Sequence, residues 1–552
     1  MTASATNPTE ATPAAIDTIS GVQSAGNDLK RALKRRQVSM FAIACAMGTG
    51  LIIGSGIGLL RGGPGSLLIA YIITGTCVFF VMTALGEMAT YIPMNKGFSG
   101  YASRYMHPAL GFATGWNYFF KYLVATPVNL TASGLIIQFW RPDLNVAIWI
   151  ATFGVLIMLV NLSHVNVFGE TEFYLACIKV VTIVGLILLC FIISAGGSPS
   201  REVIGFSYWR EPGAFAEYLL PGRLGRFLGW WACMYQAAFA FLGTEVVAIT
   251  FGEASNPRKT IPHAIKQTFF RIAGFYVLGV WALTMAVPYN SPALIGAAKQ
   301  STSAAASPFV AAITIANIKV LPHIINGSLL VFALSAACTD IYCASRSIYG
   351  LARDGQAPAI FAKTLKNGVP IYSVLAASFG ILLGFMNAAK SASVVFNYLL
   401  ALATLFALLN WICILLSYFN FRRALKVQGV PIKTLPYVGY FQPYGAMFSM
   451  FISMLVLIFA GYDAFIPHFK PDVFVLKYIS LVIFTFNFCL WRFWKGARHV
   501  KPEEMDLTTG YYDFSFGDEA DPADLSEKAD RVSIPETRLE VTIGEGAHTQ
   551  AK

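Results

Sequence analysis

Long apolar segments dominate this chain and constrain its fold more than any other feature. A helix that crosses a bilayer needs about 20 mostly apolar residues. Hydropathy marks twelve stretches near this length, at 39–60, 66–90, 109–138, 146–162, 173–194, 229–251, 269–288, 324–350, 371–387, 394–419, 445–463 and 474–494. Only 12% of the residues are charged, against about 25% in soluble domains. The sequence therefore predicts an all-α integral membrane protein with twelve transmembrane helices.

The lysines and arginines that flank these segments predict the orientation in the membrane. Five basic residues at 30–36 precede the first segment, and four at 492–501 follow the last. Twelve crossings would place both termini in the cytoplasm, although four arginines in the external loop 195–228 stand against the rule. The net charge of +11 is then explained by topology and by contact with anionic lipid, not by nucleic-acid binding.

Polar tails flank the apolar part of the chain. Residues 1–38 and 497–552 are rich in Ser, Thr, Asp, Glu and Pro, which is typical of disordered cytosolic segments. They would be the parts that trafficking or ubiquitination machinery recognises. A single membrane domain is expected over 39–496, with no cleavable signal peptide before it. All nine cysteines fall in apolar segments without metal-ligand spacing, so neither disulfides nor a metal site is expected.

The first apolar segment carries glycine at 48, 50, 54, 56 and 58. Glycine weakens a helix by about 1 kcal/mol relative to alanine. A helix that breaks at membrane depth must line a cavity or be buried in protein, and its free amides can bind a carboxylate. The alternative is that Gly50, Gly54 and Gly58, spaced by four, form a seam of small residues between packed helices.

The sixth segment is interrupted at its centre by Gly243-Thr244-Glu245. An ionisable residue at the bilayer centre costs at least about 2.5–3.5 kcal/mol. Glu245 must therefore face a polar interior, be protonated, or bind freed backbone amides and so hold the break in place. Two glycine-interrupted helices at corresponding positions of two five-helix halves indicate an inverted-repeat transporter with its binding site between them.

Other ionisable residues also lie within apolar segments. Lys121, in the third, must face a cavity or a partner, and Asp340 of the eighth is the natural salt-bridge candidate. Lys179, in the fifth, either snorkels to the cytoplasmic interface or carries a proton, as buried lysines can. Glu87 and Glu253 lie near cytoplasmic ends and are expected to pair with neighbouring Arg and Lys. The chain has no H-E-x-x-H, Walker A or G-x-S-x-G motif, and we expect no enzyme and no cofactor.

Several motifs resemble those of the fungal amino acid permeases, a family of the amino acid–polyamine–cation superfamily. Residues 48–56 resemble its GTGLF-x-GSG signature, and 86–89 and 98–102 resemble the segments that follow. Residues 243–262 are similar to its GTE…E-x-x-NPRK-x-IP block. The resemblance covers residues 36–500 and all twelve segments.

The resemblance implies a LeuT-type fold, with a 5+5 inverted repeat, broken first and sixth helices and two additional helices. It implies that the amides around Gly48, Thr49 and Gly50 hold the α-carboxylate of an amino acid. The break over Phe239–Thr244, including Gly243, would hold the α-amino group, and Phe239 or Phe241 would close the site. Proton-coupled import across the plasma membrane is the implied activity, with the ammonium of Lys179 in place of a coupling cation.

Two positions depart from most of that family. Many members carry glutamate where Asn129 stands and an uncharged residue where Lys121 stands. This departure, together with residues 304–310, resembles the dicarboxylic amino acid permease branch, and a positive group would suit the side chain of glutamate or aspartate. The alternatives are a neutral or broad-range permease, and a non-transporting amino acid sensor, although such sensors usually carry a much longer cytosolic tail. An ion channel is weaker because the sequence has no repeated filter motif.

Overall fold

The computed structural model describes residues 47–94, 97–199, 201–246, 257–292, 294–295, 307–365, 368–388 and 392–508. Regular structure in these ranges is entirely helical. The main helices are α1 (Ser55–Tyr91), α2 (Gly97–Tyr105), α3 (Pro108–Ile137), α4 (Val146–Leu162), α5 (Val165–Ser194), α6 (Gly222–Ala240), α7 (Pro257–Arg271), α8 (Leu278–Ala286), α9 (Pro308–Ile315), α10 (Leu321–Arg353), α11 (Ile371–Ser378), α12 (Ala392–Val427), α13 (Tyr444–Ile458) and α14 (Pro471–Lys495). The predicted tail 1–38, residues 304–306, and Glu253 with most of its motif lie outside the described ranges.

Helices of membrane-spanning length confirm the predicted class, a multi-pass all-α membrane protein. Eight described helical runs are long and apolar enough to cross: Gly50–Tyr91, Pro108–Ile137, Val165–Ser194, Thr260–Ala286, Leu321–Arg353, Val394–Val427, Tyr444–Phe465 and Pro471–Lys495. Two shorter apolar helices span Val146–Leu162 and Ile371–Asn387. The count of twelve and the inverted repeat remain predictions.

The first of these runs contains two predicted segments joined by a sharp turn at Gly63. This residue has a φ of 79°, a conformation that glycine adopts without strain. The loop before α6 docks on the turn, because Ala216 N donates to Gly62 O at 2.9 Å and Gly65 N donates to Ala214 O at 2.8 Å. A Cβ on Gly63 would lie 2.8 Å from Ala216 N, so the docked loop also requires glycine here.

A seam of small residues joins the first run to α6, as the packing alternative predicted for Gly50 and Gly54, whereas a Cβ on Gly58 would lie closest to Leu67 Cδ1 of the same run, at 2.7 Å. A Cβ added to Gly54 would lie 2.8 Å from Gln236 Nε2, and one on Gly62 would lie 2.6 Å from Gly229 O. At the inner end of the seam, a Cβ on Gly50 would lie 2.5 Å from Ala240 Cα. Missing side chains therefore let the two backbones approach closely, and this approach positions the site described below.

The segment that follows α14 packs against the domain. Within 497–508, Met505 and Leu507 are each 3% exposed. Arg104 on α2 holds this segment through its Nη2, 2.9 Å from Asp506 Oδ2. The last packed residues therefore lie beyond the predicted domain boundary at 496/497.

Candidate functional site

A narrow cavity of about 50 Å³ lies where the start of the first helical run meets α3, α10 and the end of α6. Its wall contains backbone-exposing glycines, one lysine, one aspartate and several apolar side chains. The lining residues are Gly48, Thr49, Gly50, Lys121, Tyr122, Ala125, Val128, Asn129, Phe239, Ala240, Leu242, Gly243, Val246, Ala336, Thr339 and Asp340.

Seven of the nine predicted substrate-binding residues line this cavity, and Phe241 and Thr244 do not. Phe241 is fully buried and stacks on Tyr276 with ring centroids 4.4 Å apart. The Thr244 hydroxyl donates to the carbonyl oxygen of Phe241. Successive helical residues turn by about 100°, so Phe239 and Phe241 point to nearly opposite sides. Only Phe239 is therefore placed to close the cavity.

The first helical run begins at the cavity. Gly48 lies in a bend, whereas Thr49 has helical angles (φ −62°, ψ −19°) and Gly50–Gly54 form a wide, π-helical turn. The expectation of an unwound Gly48–Gly50 segment is thus wrong for Thr49 and Gly50, and residues before Met47 lie outside the described chain. The first N–H groups of a helix have no carbonyl partner within it and form the positive end of its dipole. This end is suited to an anion.

Helix α6 ends at the opposite wall. Its last residue is Ala240, Gly243 takes a φ of 87°, and a short helical turn follows over Thr244–Val246. The predicted interruption at Gly243 is therefore present. The carboxyl end of a helix is the negative end of its dipole and favours a cation. A helix start and a helix end thus face one cavity, an arrangement that matches the two charges of an amino acid zwitterion.

A buried chain of hydrogen bonds crosses the cavity wall. Thr49 Oγ1 donates to Asn129 Oδ1 at 2.7 Å, and Asn129 Nδ2 donates to Asp340 Oδ2 at 2.7 Å. The amide of Asn129 uses both its donor and its acceptor, so it links the first helical run to α10 through α3. Asn129 is therefore held in place by neighbours on both sides.

Lys121 forms a buried ion pair with Glu245, and the side chains of both are 1% exposed. The expectation that Asp340 is its partner is wrong, because Asp340 instead accepts from Asn129. The Lys121 ammonium also donates to the Tyr122 hydroxyl at 3.2 Å, and Trp411 Nε1 donates to Glu245 Oε2 at 3.4 Å. Breaking such a pair from one side costs about 3–5 kcal/mol, because the remaining charge stays buried.

A second group of buried charges lies between α5 and α10. Lys179 is fully buried, so the snorkelling alternative is wrong. Its charge acts on both Asp340 and Glu172. Glu172 is 1% exposed and accepts from Ser335 Oγ at 2.6 Å. Sequence reasoning missed Glu172, although its position seven residues before Lys179 puts both on one helix face.

An ion pair outside the cavity joins α1 to α12. Glu87 is fully buried and receives two bonds of 2.8 Å from Arg422, through Nε and Nη2. It also accepts from the Tyr418 hydroxyl at 2.9 Å and from Gly439 N at 2.8 Å. This pairing agrees with the expected salt bridge. In the described ranges no group of three His, Cys, Asp or Glu residues could hold a metal ion.

Comparisons with known proteins give one consistent family description. A family model described as "Amino acid permease" matches residues 37–501. An uncharacterized amino-acid permease of Schizosaccharomyces pombe is 50% identical, with 87% of this chain and 92% of that protein covered. The dicarboxylic amino acid permease of Saccharomyces cerevisiae is 43% identical, with coverage of 87% and 80%. The proline-specific permease of Emericella nidulans is 38% identical, with coverage of 87% and 88%.

A solved structure shares the fold. The Eremococcus coleocola manganese transporter superposes with a TM-score of 0.54 at 13% identity, over 83% of this chain and 93% of that one. At this identity the similarity concerns the fold alone. The curated relatives reported above are permeases, and none is an enzyme.

Proposed function

Since the chain belongs to the amino acid permease family, we propose that it imports amino acids across the plasma membrane together with protons, and favours acidic amino acids. The single observation that carries this proposal is the meeting of a helix start and a helix end at one cavity. The α-carboxylate would lie against the amides at Gly48–Gly50. The α-ammonium would lie at the end of α6, with Phe239 closing over it.

We propose a LeuT-type architecture of twelve spans for this chain, with both termini in the cytoplasm. Support comes from the turn at Gly63, which lies between the first two predicted segments, and from the likeness in fold to a transporter of low sequence identity. The backbone break at Gly243, directly after α6, gives further support, because a fold of this type has a break in its sixth span. Alternating access would then move the helices around a site near the midplane.

The preference for acidic substrates depends on Lys121, which lines the cavity. A side-chain carboxylate of glutamate would compete with Glu245 for the Lys121 ammonium, and the Tyr122 hydroxyl would remain as a further partner. A desolvated charge pair contributes about 2–5 kcal/mol when one partner is removed. The relative named as a dicarboxylic amino acid permease supports the proposal of an acidic substrate.

A neutral substrate is the second candidate, and a specific observation favours it. Glu245 already neutralises Lys121, and Asp340 adds a carboxyl group to the cavity wall. A substrate without a charged side chain would leave the Lys121–Glu245 pair intact. The proline-specific relative is consistent with this alternative.

An uptake panel tests these proposals. Labelled glutamate, aspartate, glutamine, proline and lysine are offered to a permease-deficient host that expresses the protein, at an acidic and a neutral external pH. We expect acidic amino acids to dominate, uptake to rise at acidic pH and collapse with a protonophore, and choline to replace sodium without effect. Strict sodium dependence would contradict proton coupling, and no uptake despite normal surface expression would favour a sensor.

A further inference from the structure

Glu172 has an unusual environment for a carboxylate within a membrane helix. Ser335 satisfies one of its oxygens, at 2.6 Å. The other, Oε1, is buried and makes no well-formed hydrogen bond within the described chain, although the Thr339 hydroxyl and the Cys338 thiol lie close enough to donate weakly to this carboxyl group. A buried acceptor whose donors are poorly placed is costly. An added proton on Oε1 would turn this acceptor into a donor.

A ready acceptor for that proton lies next to Glu172. The Thr339 hydroxyl is close enough to donate weakly to this carboxyl group while the group is ionised, and within the described chain it makes no well-formed hydrogen bond. Thr339 also lines the substrate cavity. The protonated acid could therefore donate to Thr339 Oγ1, and this contact would connect Glu172 to the cavity.

Within the described chain, titratable or charged groups of two helices also act on Glu172. Lys179 lies on α5, and Cys338 and Asp340 lie on α10. Side chains of a helix lean toward its N-terminus, which brings the Lys179 ammonium toward Glu172. Lys179 thus lies between two carboxyl groups, one in the cavity wall and one deeper in the protein.

The position of Glu172 along α5 gives this arrangement a direction. At 1.5 Å per residue, Glu172 lies about 10 Å and Lys179 about 21 Å from the helix start at Val165. The proposed topology places that start at the cytoplasmic side. Glu172 is then between the cavity and the cytoplasm.

We propose that Glu172 is the residue that takes up and releases the coupling proton, with Lys179 as its counter-charge. The inference rests on the proposed proton-coupled transport. One O–H bond forms on Oε1 when a proton arrives from the cavity, and the same bond breaks when the proton leaves to cytoplasmic water. Protonation changes the Glu172–Lys179 pair from neutral to a charge of +1. The freed ammonium then acts on Asp340, which is bonded to the substrate site through Asn129.

The test uses the full chain in liposomes, with labelled L-glutamate as the probe, L-proline in parallel, and a trapped pH-sensitive dye. In Glu172→Gln, the glutamine oxygen can still accept from Ser335, but the residue cannot carry a proton. We expect substrate-driven proton entry to fall to the background leak, because the variant has no group at this position that can take up a proton, while counterflow exchange of labelled for unlabelled substrate stays unchanged. Glu170→Gln, a half-buried carboxylate of the same helix, serves as the matched control and should behave as wild type.

The outcomes separate this inference from the proposed function. Wild-type uptake without proton entry would refute proton coupling itself, whatever the variant does. Coupled wild type together with an equally coupled Glu172→Gln protein would overturn the role of Glu172 alone.

A measurement on the unmodified protein covers the case in which Glu172→Gln does not fold. A hydrophobic carbodiimide reacts with protonated carboxyl groups inside membrane proteins, and peptide mass spectrometry identifies the labelled residue. We expect labelling of Glu172 that increases as the pH falls through the range in which uptake rises. Labelling of Asp340 or Glu245 without Glu172 would overturn the proposal.

Discussion

Replacing Gly50 by alanine should impair transport far more than the same change at Gly48. A Cβ on Gly50 would lie 2.5 Å from Ala240 Cα and 3.0 Å from Ala240 N. These are backbone atoms at the end of α6, so no side chain can rotate away. Overpacking of this kind costs about 1–3 kcal/mol, and it acts where the two helix ends must approach to hold the substrate. If the helix ends relieve this strain by moving apart and must close again around the substrate, the whole cost falls on the substrate-bound state, and at 1.36 kcal/mol per factor of ten kcat/KM falls roughly 5–150-fold.

Gly48 provides the control, because a Cβ there would lie 3.8 Å from Ala336 Cβ, an ordinary contact. Gly48→Ala should therefore retain near wild-type kcat/KM. The assay is initial uptake over a range of substrate concentrations, normalised to surface abundance, with detergent-solubilised protein checked for a monodisperse peak. Equal activity of Gly50→Ala and wild type, or a larger loss in Gly48→Ala, would refute the close approach of the two helix ends.

Three further predictions follow from the buried charges and from the packed C-terminal segment. Lys121→Gln and Glu245→Gln should each destabilise the protein by about 3–5 kcal/mol, whereas the double variant should recover most of this loss; additive single effects would show that the pair is not coupled. If Lys121 binds the substrate side chain, Lys121→Gln should lose competition by glutamate far more than by glutamine, and an equal loss of both would favour the neutral substrate. Truncation after residue 496, which removes the buried Met505 and Leu507, should lower thermal stability, whereas truncation after residue 509 should not, and equal melting temperatures would contradict the packing.

Much of the fold could be predicted from the sequence, because the bilayer requires long apolar helices and the chain has little else. The break between the first two segments could also be read, since Gly62-Gly63-Pro64-Gly65 separates them and Gly63 adopts a positive φ. Gly243 was recognisable for the same reason. Glycine and proline report on the local backbone, which is the part of the structure that a sequence records most directly.

Interactions between distant segments were harder to predict. Lys121 and Glu245 are 124 residues apart, and Asp340 was the partner that the sequence suggested for Lys121. In the structure Asp340 accepts a hydrogen bond from Asn129 and does not pair with Lys121. This contact depends on the packing of α3 on α10, which the sequence does not reveal. Glu172 was different, because its spacing from Lys179 was visible in the sequence and only the environment of its second oxygen required the structure.

The most direct test of the account is a structure of the protein with L-glutamate bound. We expect the ligand in the cavity, with its α-carboxylate in hydrogen-bonding range of the backbone amides at Gly48–Gly50 and its α-ammonium at the end of α6. The side-chain carboxylate should then contact Lys121. A ligand bound outside this cavity, or one whose α-carboxylate contacts Lys121 while the Gly48–Gly50 amides stay free, would contradict the central claim.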